Sequence, residues 1–181
     1  MEKCRMVFSG SGGQGVITAS IILAEAAVLY EGLTAVQSQS YGAEARGGAT
    51  RSDVIISDSV IHFPKVIQPN VLICLTQDAY GKFYPIIRPG GLLITDTRFV
   101  QTEKKVDAQQ KEMAIYETVM AKIGKPIVFN ISMLGALIAL TGLVKPESIM
   151  KTLENRIPED FLEMNRSALD LGLKLGERVK S

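Results

Sequence analysis

The N-terminal third of the chain alternates apolar runs with glycine-rich breaks. Residues 4–8 form a short strand-like run, and a glycine cluster at residues 10–15 interrupts it. Val16–Tyr30 is rich in Ala, Ile and Leu and has almost no polar face, which predicts a buried helix. Residues 33–37 then favour a strand, so the pattern predicts a βαβ unit with a right-handed crossover and a sheet that is at least partly parallel.

Two short runs in the next segment predict an antiparallel hairpin. Residues 49–57 and 60–63 have strand-like character and flank a turn at Asp58 and Ser59. We expect this hairpin to lie at an edge of the sheet.

The middle of the chain carries continuous apolar runs bounded by turn-forming residues. Residues 71–75 and 92–95 have the pattern of strands that are buried on both faces, and residues 78–84 between them predict a short helix. Strands that alternate with helices in this way favour a doubly wound sheet.

The C-terminal third reads mainly as helical. An amphipathic segment, residues 108–123, leads to a predicted last strand over residues 127–129. We expect helices to begin near Ile131, Pro146 and Pro158, since proline is favoured in the first turn of a helix.

These elements predict the α/β class. The expected architecture is a single Rossmann-like domain over residues 1–181, with a doubly wound, mostly parallel sheet, an antiparallel hairpin and C-terminal helices. The chain has 46% hydrophobic residues, no internal repeat, and no Pro-, Gly- or Ser-rich linker that would mark a second domain.

Charge and hydropathy exclude several classes of partner. The formal net charge is +1, so we expect no nucleic-acid or membrane binding driven by a global field. The longest apolar stretch, residues 133–144, is shorter than the roughly 18 residues that a membrane span needs. No targeting segment is recognised near the N-terminus, and we expect a cytoplasmic protein.

Metal-ligating and catalytic patterns are missing from the sequence. Cys4 and Cys74 lie far apart in apolar runs without the spacing of a zinc or iron–sulfur site, so buried thiols are expected and no metal ligand is assigned. His62 is assigned a surface or packing role. We assign no catalytic residue.

The glycine cluster matches G-x-G-x-x-G at Gly10, Gly12, Gly13, Gln14 and Gly15. It follows a predicted strand and opens a predicted helix, which is where glycines permit a tight turn and let a phosphate approach the helix N-terminal amides. The alternative interpretation is that the glycines only let the helix pack closely against the first strand.

The usual nucleotide sites are disfavoured. A dinucleotide site needs an Asp or Glu at the end of the second strand, but residues 35–39 read Ala-Val-Gln-Ser-Gln, and an Arg for an NADP phosphate is also missing there. No Lys-Ser or Lys-Thr follows the glycines, so a Walker-type P-loop is excluded.

A second glycine-rich loop follows the second predicted strand. It places Tyr41, Glu44 and Arg46 next to Gly47 and Gly48. If the strands are parallel, the two loops face each other across the carboxyl edge of the sheet. The functional interpretation is a loop held against a ligand or partner chain, with Arg46 as a planar donor to a phosphate or carboxylate. The plain alternative is an exposed turn in which Glu44 and Arg46 pair.

With these two loops, the sequence resembles the gamma subunit, or the equivalent fused domain, of the pyruvate and 2-oxoglutarate ferredoxin oxidoreductases. The family pattern contains a GxGGQG loop, a SYGxExRGG loop and a later N-x-x-x-LG segment, which this chain matches at residues 10–15, 40–48 and 130–135. The likeness covers nearly the whole length and includes Asn165 and Gly172 near the C-terminus. The related indolepyruvate enzymes usually have a histidine in the second loop and glutamine in place of the glutamate, so Tyr41 and Glu44 favour the pyruvate or 2-oxoglutarate branch.

The resemblance implies a subunit of a CoA-acylating enzyme complex that is inactive alone. Alpha-, beta- and delta-type subunits would bind thiamine diphosphate and carry the iron–sulfur clusters, with ferredoxin as electron acceptor. This chain would bind no cofactor alone, and the residues of its two loops would help to position CoA or stabilise subunit contacts. The choice of 2-oxoacid would lie mainly in the thiamine-binding subunits.

Two other functions stay open from the sequence. One is a free-standing Rossmann-type nucleotide-binding regulatory module, and the other is a purely structural subunit whose glycine loops touch no ligand. Firm binding of NAD or a flavin by the isolated chain would favour the first, whereas a complex with CoA would decide on the second.

Overall fold

The structure is a computed structural model that describes residues 3–40, 48–103 and 105–180. Tyr41, Glu44, Arg46 and Gly47 therefore lie outside the described residues. None of the helices in the described ranges is long and apolar enough to cross a membrane.

The chain forms six strands and six α-helices over the described ranges. The strands are β1 Cys4–Gly10, β2 Thr34–Ser40, β3 Thr50–Ser57, β4 Val71–Cys74, β5 Gly91–Asp96 and β6 Ala108–Met113. The helices are α1 Val16–Tyr30, α2 Gln77–Phe83, α3 Ile115–Lys122, α4 Phe129–Thr141, α5 Pro146–Glu154 and α6 Leu162–Lys180.

The strands make one mixed sheet with the order β2-β3-β1-β4-β5-β6. β1, β4, β5 and β6 are parallel neighbours, while β3 runs antiparallel to both β1 and β2. Five strands therefore point the same way and one points the opposite way. The predicted α/β class with a mostly parallel sheet and an antiparallel hairpin is confirmed.

Helices cover both faces of the sheet. In β1, Met6 and Phe8 point into the larger core, which contains α1, α3, α4, α5 and α6. Val7 points to the other face, where it packs with Tyr80 of α2 and with Val66. Alternate residues of a strand face opposite sides, so this central strand is apolar throughout.

The hairpin is formed by other residues than the sequence predicted. Residues 60–63 have no regular secondary structure, so the predicted second strand of that hairpin is wrong. β3 pairs with β2 instead, and Ser40 stands opposite Arg51. β2 therefore lies at the sheet edge, and β3 separates it from β1. β1 and β2 are parallel, as the predicted βαβ unit requires, but β3 lies between them in the sheet.

Two further predictions near the C-terminus are corrected. The amphipathic segment at residues 108–123 divides into edge strand β6 and helix α3. Residues 127–129, the predicted last strand, instead form a 3-10 turn over Pro126–Val128 and the first residue of α4. A short apolar run fits a buried strand and a buried helix equally well, and α4 is buried along most of its length.

Helices α4 and α6 cross at small residues. A Cβ on Gly172 would collide with the Ser132 carbonyl group, and a Cβ on Gly176 would lie 2.6 Å from the Ala136 carbonyl oxygen. The Ser132 hydroxyl donates to the Ala168 carbonyl oxygen at 2.6 Å. The late glycine at position 172 is therefore explained by close helix packing.

Candidate functional site at the carboxyl edge of the sheet

The glycine loop has the predicted order of strand, loop and helix. β1 ends at Gly10, residues Gly12–Gln14 form one 3-10 turn, and α1 starts after Gly15. Gly15 has a φ of +70°, a left-handed conformation that strongly favours glycine. The loop therefore places the N-terminus of a 15-residue helix at the carboxyl edge of the sheet.

Gln14 holds the loop together from inside. Its Oε1 accepts a hydrogen bond from the Ser11 backbone N–H at 2.9 Å, and its Nε2 donates to the Leu75 carbonyl oxygen at 2.9 Å. A Cβ on Gly10 would lie 2.5 Å from the Gln14 Oε1. Gly10 and Gln14 thus have a structural role within the chain, because they fix the loop to the end of β4.

Gly15 and Asn130 are packed against each other. The Asn130 Nδ2 donates to the Gly15 carbonyl oxygen at 3.2 Å. A Cβ at residue 15 would lie 2.6 Å from the same nitrogen. This contact connects the start of α1 to the first turn of α4.

Gly12 and Gly13 differ from the other two glycines. Both are exposed, and a Cβ on either would meet nothing within 4 Å. Neither has a positive φ. The described part of the chain therefore gives no internal reason for glycine at these two positions.

A cavity of about 420 Å³ opens beside Gly12 and Gly13. Its walls come from the glycine loop, α1, α4, α5 and the region before and within α6. Most of the wall is apolar, and the exposed rim includes Ile127 and Phe161, which are 76% and 51% exposed. The polar side chains in the wall are those of Gln14, Thr18, Asn130 and Asn165.

Asn130 is part of the cavity wall and has a buried acceptor that is not used. The residue is 7% exposed, and its Oδ1 has no hydrogen-bond partner among the described residues. A buried acceptor without a partner is destabilising, by about 1–3 kcal/mol, unless a ligand, water or another chain supplies a donor. The cavity thus combines apolar walls with a helix N-terminus, which is a typical composition for a ligand site.

The second glycine-rich loop starts and ends at the same edge of the sheet. Gly10 stands opposite Thr50 on β3, and Ser40, which precedes the loop, stands opposite Arg51. Gly48 is half-buried and does not line the cavity. The predicted common edge for the two loops is consistent with this register.

Sequence reasoning did not assign Thr18, Asn130 or Asn165 to the site. Asn130 and Asn165 belong to segments on which the family resemblance rests. That resemblance was the sequence feature from which they could have been assigned to the site. Both asparagines are buried, and Asn165 Nδ2 donates to the Phe161 carbonyl oxygen at 2.9 Å. Their position in the cavity wall depends on how α4 and α6 fold back to the glycine loop.

Metal ligands and reactive thiols are not found in the described ranges. No group of three or more His, Cys, Asp or Glu side chains could hold a metal ion there. Burial raises the pKa of the Cys4 thiol to about 11 and that of the Cys74 thiol to about 12. These thiols are protonated at neutral pH, and the side chains present do not fit an iron–sulfur cluster.

Comparison with known proteins identifies the relatives of this chain. A sequence profile described as pyruvate ferredoxin/flavodoxin oxidoreductase matches residues 5–175. The 2-oxoglutarate synthase subunit KorC of Methanocaldococcus jannaschii is 44% identical over 173 residues, which cover 94% of this chain and 92% of that protein.

Two solved structures share the fold. The gamma subunit of keto/oxoacid ferredoxin oxidoreductase from Geobacter sulfurreducens superimposes with a TM-score of 0.91 and 41% identity over the whole of both chains. A 2-oxoglutarate:ferredoxin oxidoreductase from Magnetococcus marinus, with 2-oxoglutarate, coenzyme A and succinyl-CoA bound, gives a TM-score of 0.88 at 21% identity. That match covers 98% of this chain and 32% of the Magnetococcus chain, and it supports the fold alone.

Proposed function

The chain belongs to the pyruvate ferredoxin/flavodoxin oxidoreductase family as a gamma-type subunit, and we propose that it serves a 2-oxoglutarate:ferredoxin oxidoreductase. Pyruvate is the alternative substrate. The 44% identity to a 2-oxoglutarate synthase subunit over nearly the full length supports the first choice. The reaction of such a complex is the oxidative decarboxylation of a 2-oxoacid to an acyl-CoA and CO2, with the electrons passed to ferredoxin.

In this proposal the other subunits perform the redox chemistry. Alpha-, beta- and delta-type subunits bind thiamine diphosphate, which supplies the carbanion chemistry of decarboxylation, and the iron–sulfur clusters. The described side chains of this chain do not fit a cluster. The gamma-type chain contributes a binding surface at the carboxyl edge of its sheet.

One observation carries the site assignment. Gly10 and Gly15 are required by contacts within the chain, but Gly12 and Gly13 face open space. A side chain at either position would obstruct only a molecule that approaches from outside. We therefore assign the exposed face of this turn to a bound molecule, in agreement with the use of glycines for close backbone approach.

CoA has the chemistry that this site would bind. Its phosphates suit a helix N-terminus, where backbone N–H groups and the helix dipole favour negative charge. Its otherwise aliphatic arm suits the apolar walls of the cavity. In the proposal Tyr41, Glu44, Arg46 and Gly47 complete the site from the second loop, with the Arg46 guanidinium directed to a phosphate.

The test uses the assembled complex. Gly12→Val and Gly13→Val should raise the KM for CoA and leave subunit stoichiometry unchanged, because the added isopropyl groups obstruct only the ligand. Gly81→Val is the matched control, since Gly81 is also exposed with nothing within 4 Å of its Cβ position. Failure to co-purify would instead assign the loop to a subunit contact, and an unchanged KM with intact assembly would contradict both assignments.

A second test concerns the chain alone. We expect the purified chain to fold and to show no 2-oxoacid oxidation with a viologen acceptor. Turnover by the single chain would contradict the subunit function. Firm binding of NAD or a flavin in a thermal-shift assay would favour a nucleotide-binding regulatory module.

A further inference from the structure

A second concavity lies at the opposite edge of the sheet from the glycine loop. It encloses about 620 Å³ beside the starts of β1 and β5. Its lining consists of three basic, three apolar and one amide residue: Arg5, Lys65, Arg88, Phe63, Ile67, Pro89 and Gln68. We call this surface the basic concavity.

The basic concavity has an unbalanced charge. Its lining contains no carboxylate. Across residues 3–40, 48–103 and 105–180, neither an ion pair nor a side-chain hydrogen bond uses the charged groups of Arg5, Lys65 or Arg88. Three cations that converge on one depression without counter-charges attract an anionic partner.

Large apolar side chains lie among these cations. Phe63 is 58% exposed and Ile67 is 71% exposed. Exposed aromatic side chains next to arginines are enriched at protein interfaces, and the apolar surface of Ile67 adds to this patch. The basic concavity therefore suits a polypeptide better than a small inorganic anion.

The segment that carries Lys65 and Ile67 is fixed by a partly buried ion pair. The Arg51 guanidinium contacts the Asp53 carboxylate through two bonds of 2.7 and 3.1 Å. The same pair binds both backbone polar groups of Val66. Asp53 Oδ2 accepts from the Val66 N–H at 3.0 Å, and Arg51 Nη2 donates to the Val66 carbonyl oxygen at 2.6 Å. The Val66 side chain is buried, so the residues on either side of it stay at the surface.

The rest of the rim is fixed through its backbone. Arg5 and Asn70 are joined by two hydrogen bonds, from the Arg5 N–H to the Asn70 Oδ1 at 2.9 Å and from the Asn70 N–H to the Arg5 carbonyl oxygen at 2.7 Å. The Arg88 N–H donates to the Pro69 carbonyl oxygen at 3.2 Å. A surface that is fixed before binding loses less entropy when a partner docks.

We propose that the basic concavity is a docking surface for an acidic segment of another polypeptide of the complex. The carboxylates of that segment pair with Lys65, Arg5 and Arg88, and its apolar side chains pack on Phe63 and Ile67. The inference rests on the chain acting as a subunit. It is independent of what binds at the glycine loop, which lies at the other edge of the sheet.

The first experiment locates the partner. A photo-crosslinking benzoylphenylalanine replaces Phe63 in the chain co-expressed with the other subunits, and the cross-linked peptide is identified by mass spectrometry. The expected product is a peptide of another subunit that contains several Asp or Glu residues. The same photo-crosslinker at Lys174, an exposed position on α6, is the control. No cross-link above this control, or a cross-link to a segment without acidic residues, would overturn the proposal.

The second experiment tests the charges. Lys65→Glu combined with Arg88→Glu should reduce co-purification with the tagged partner subunits by about tenfold, with a smaller loss in the single variants. Lys174→Glu with Lys151→Glu is the control with equal charge change. Complexes that still form should keep their KM for CoA, which separates this surface from the proposed CoA site. If co-purification with the partner subunits falls equally in the two double variants, the proposal is overturned. Charge-dependent binding of the chain to phosphatidylglycerol vesicles, without any cross-link to a protein, would also overturn it.

Discussion

The side chain of Asn130 packs so closely against Gly15 that it leaves no room for a Cβ at residue 15. The Asn130 Nδ2 donates to the Gly15 carbonyl oxygen at 3.2 Å and is 2.6 Å from the ideal Cβ position of that glycine. The two residues are 115 positions apart in the chain. Their contact sets the distance between α1 and α4, and with it the shape of the cavity between them.

Gly15→Ala should lower the free energy of unfolding by about 2–5 kcal/mol. An alanine in the left-handed conformation costs about 1–2 kcal/mol, and the contact with Asn130 adds an overpacking cost of about 1–3 kcal/mol. Urea denaturation of the purified chain measures the change. Gly12→Ala is the control, and its effect should stay within about 0.5 kcal/mol because its Cβ would meet nothing within 4 Å. Equal effects of the two substitutions would contradict this account of the loop.

The sequence predicted those elements whose local pattern is strong. The order of β1, the glycine loop and α1 follows from an apolar run, a glycine motif and a long apolar helix, and the structure has them in that order. The failures occur where a local pattern is ambiguous. β6 has the sequence AQQKEM and is half exposed as an edge strand, so it lacks the continuous apolar pattern of β4 and β5.

The site was predicted less completely than the fold, for a physical reason. The motif assigns the same role to all of its glycines. In the structure Gly10 and Gly15 are needed for contacts inside the chain, whereas Gly12 and Gly13 face outward. A one-dimensional pattern does not distinguish these roles. Asn130 reaches the glycine loop only because α4 packs beside α1, which is a tertiary contact. The assignment of the loop residues to CoA stays a prediction.

Gly172→Ala should destabilise the chain by about 2 kcal/mol or more. The added methyl group would collide with the Ser132 carbonyl group, and helix backbones move apart only at the cost of the contacts around them. Gly81→Ala in α2 is the matched control, since Gly81 also lies in a helix but a Cβ there would meet nothing within 4 Å. That control should gain about 0.5–1 kcal/mol from helix propensity. Opposite signs in thermal or urea unfolding are expected, and a neutral Gly172→Ala would contradict the close crossing of α4 and α6.

The two cysteines should react slowly in the folded chain. Burial raises the pKa of Cys4 to about 11 and of Cys74 to about 12, so the thiolate forms amount to roughly one in a thousand or fewer at pH 8. Ellman's reagent at pH 8 should therefore titrate both thiols quickly in urea and slowly in native buffer. In a Cys74→Ser variant only Cys4 reacts, so the variant separates the reaction rate of Cys4 from that of Cys74. Cys74 is buried and Cys4 is half-buried, so Cys74 should be the slower of the two. Fast reaction of Cys74 in native buffer would contradict its burial.

Arg51→Lys should loosen the segment around Val66. An ammonium group keeps the charge but cannot pair with both Asp53 oxygens and also donate to the Val66 carbonyl oxygen in the planar arrangement that the guanidinium has. We expect a loss of about 1–3 kcal/mol in the free energy of unfolding and faster tryptic cleavage after Lys65, read by mass spectrometry of limited digests. Arg98→Lys is the control, because Arg98 forms a solvent-exposed pair with Glu117 at 3.9 Å, which contributes little. Unchanged cleavage after Lys65 would show that the ion pair does not hold this segment, and the fixed geometry of the basic concavity would then need another cause.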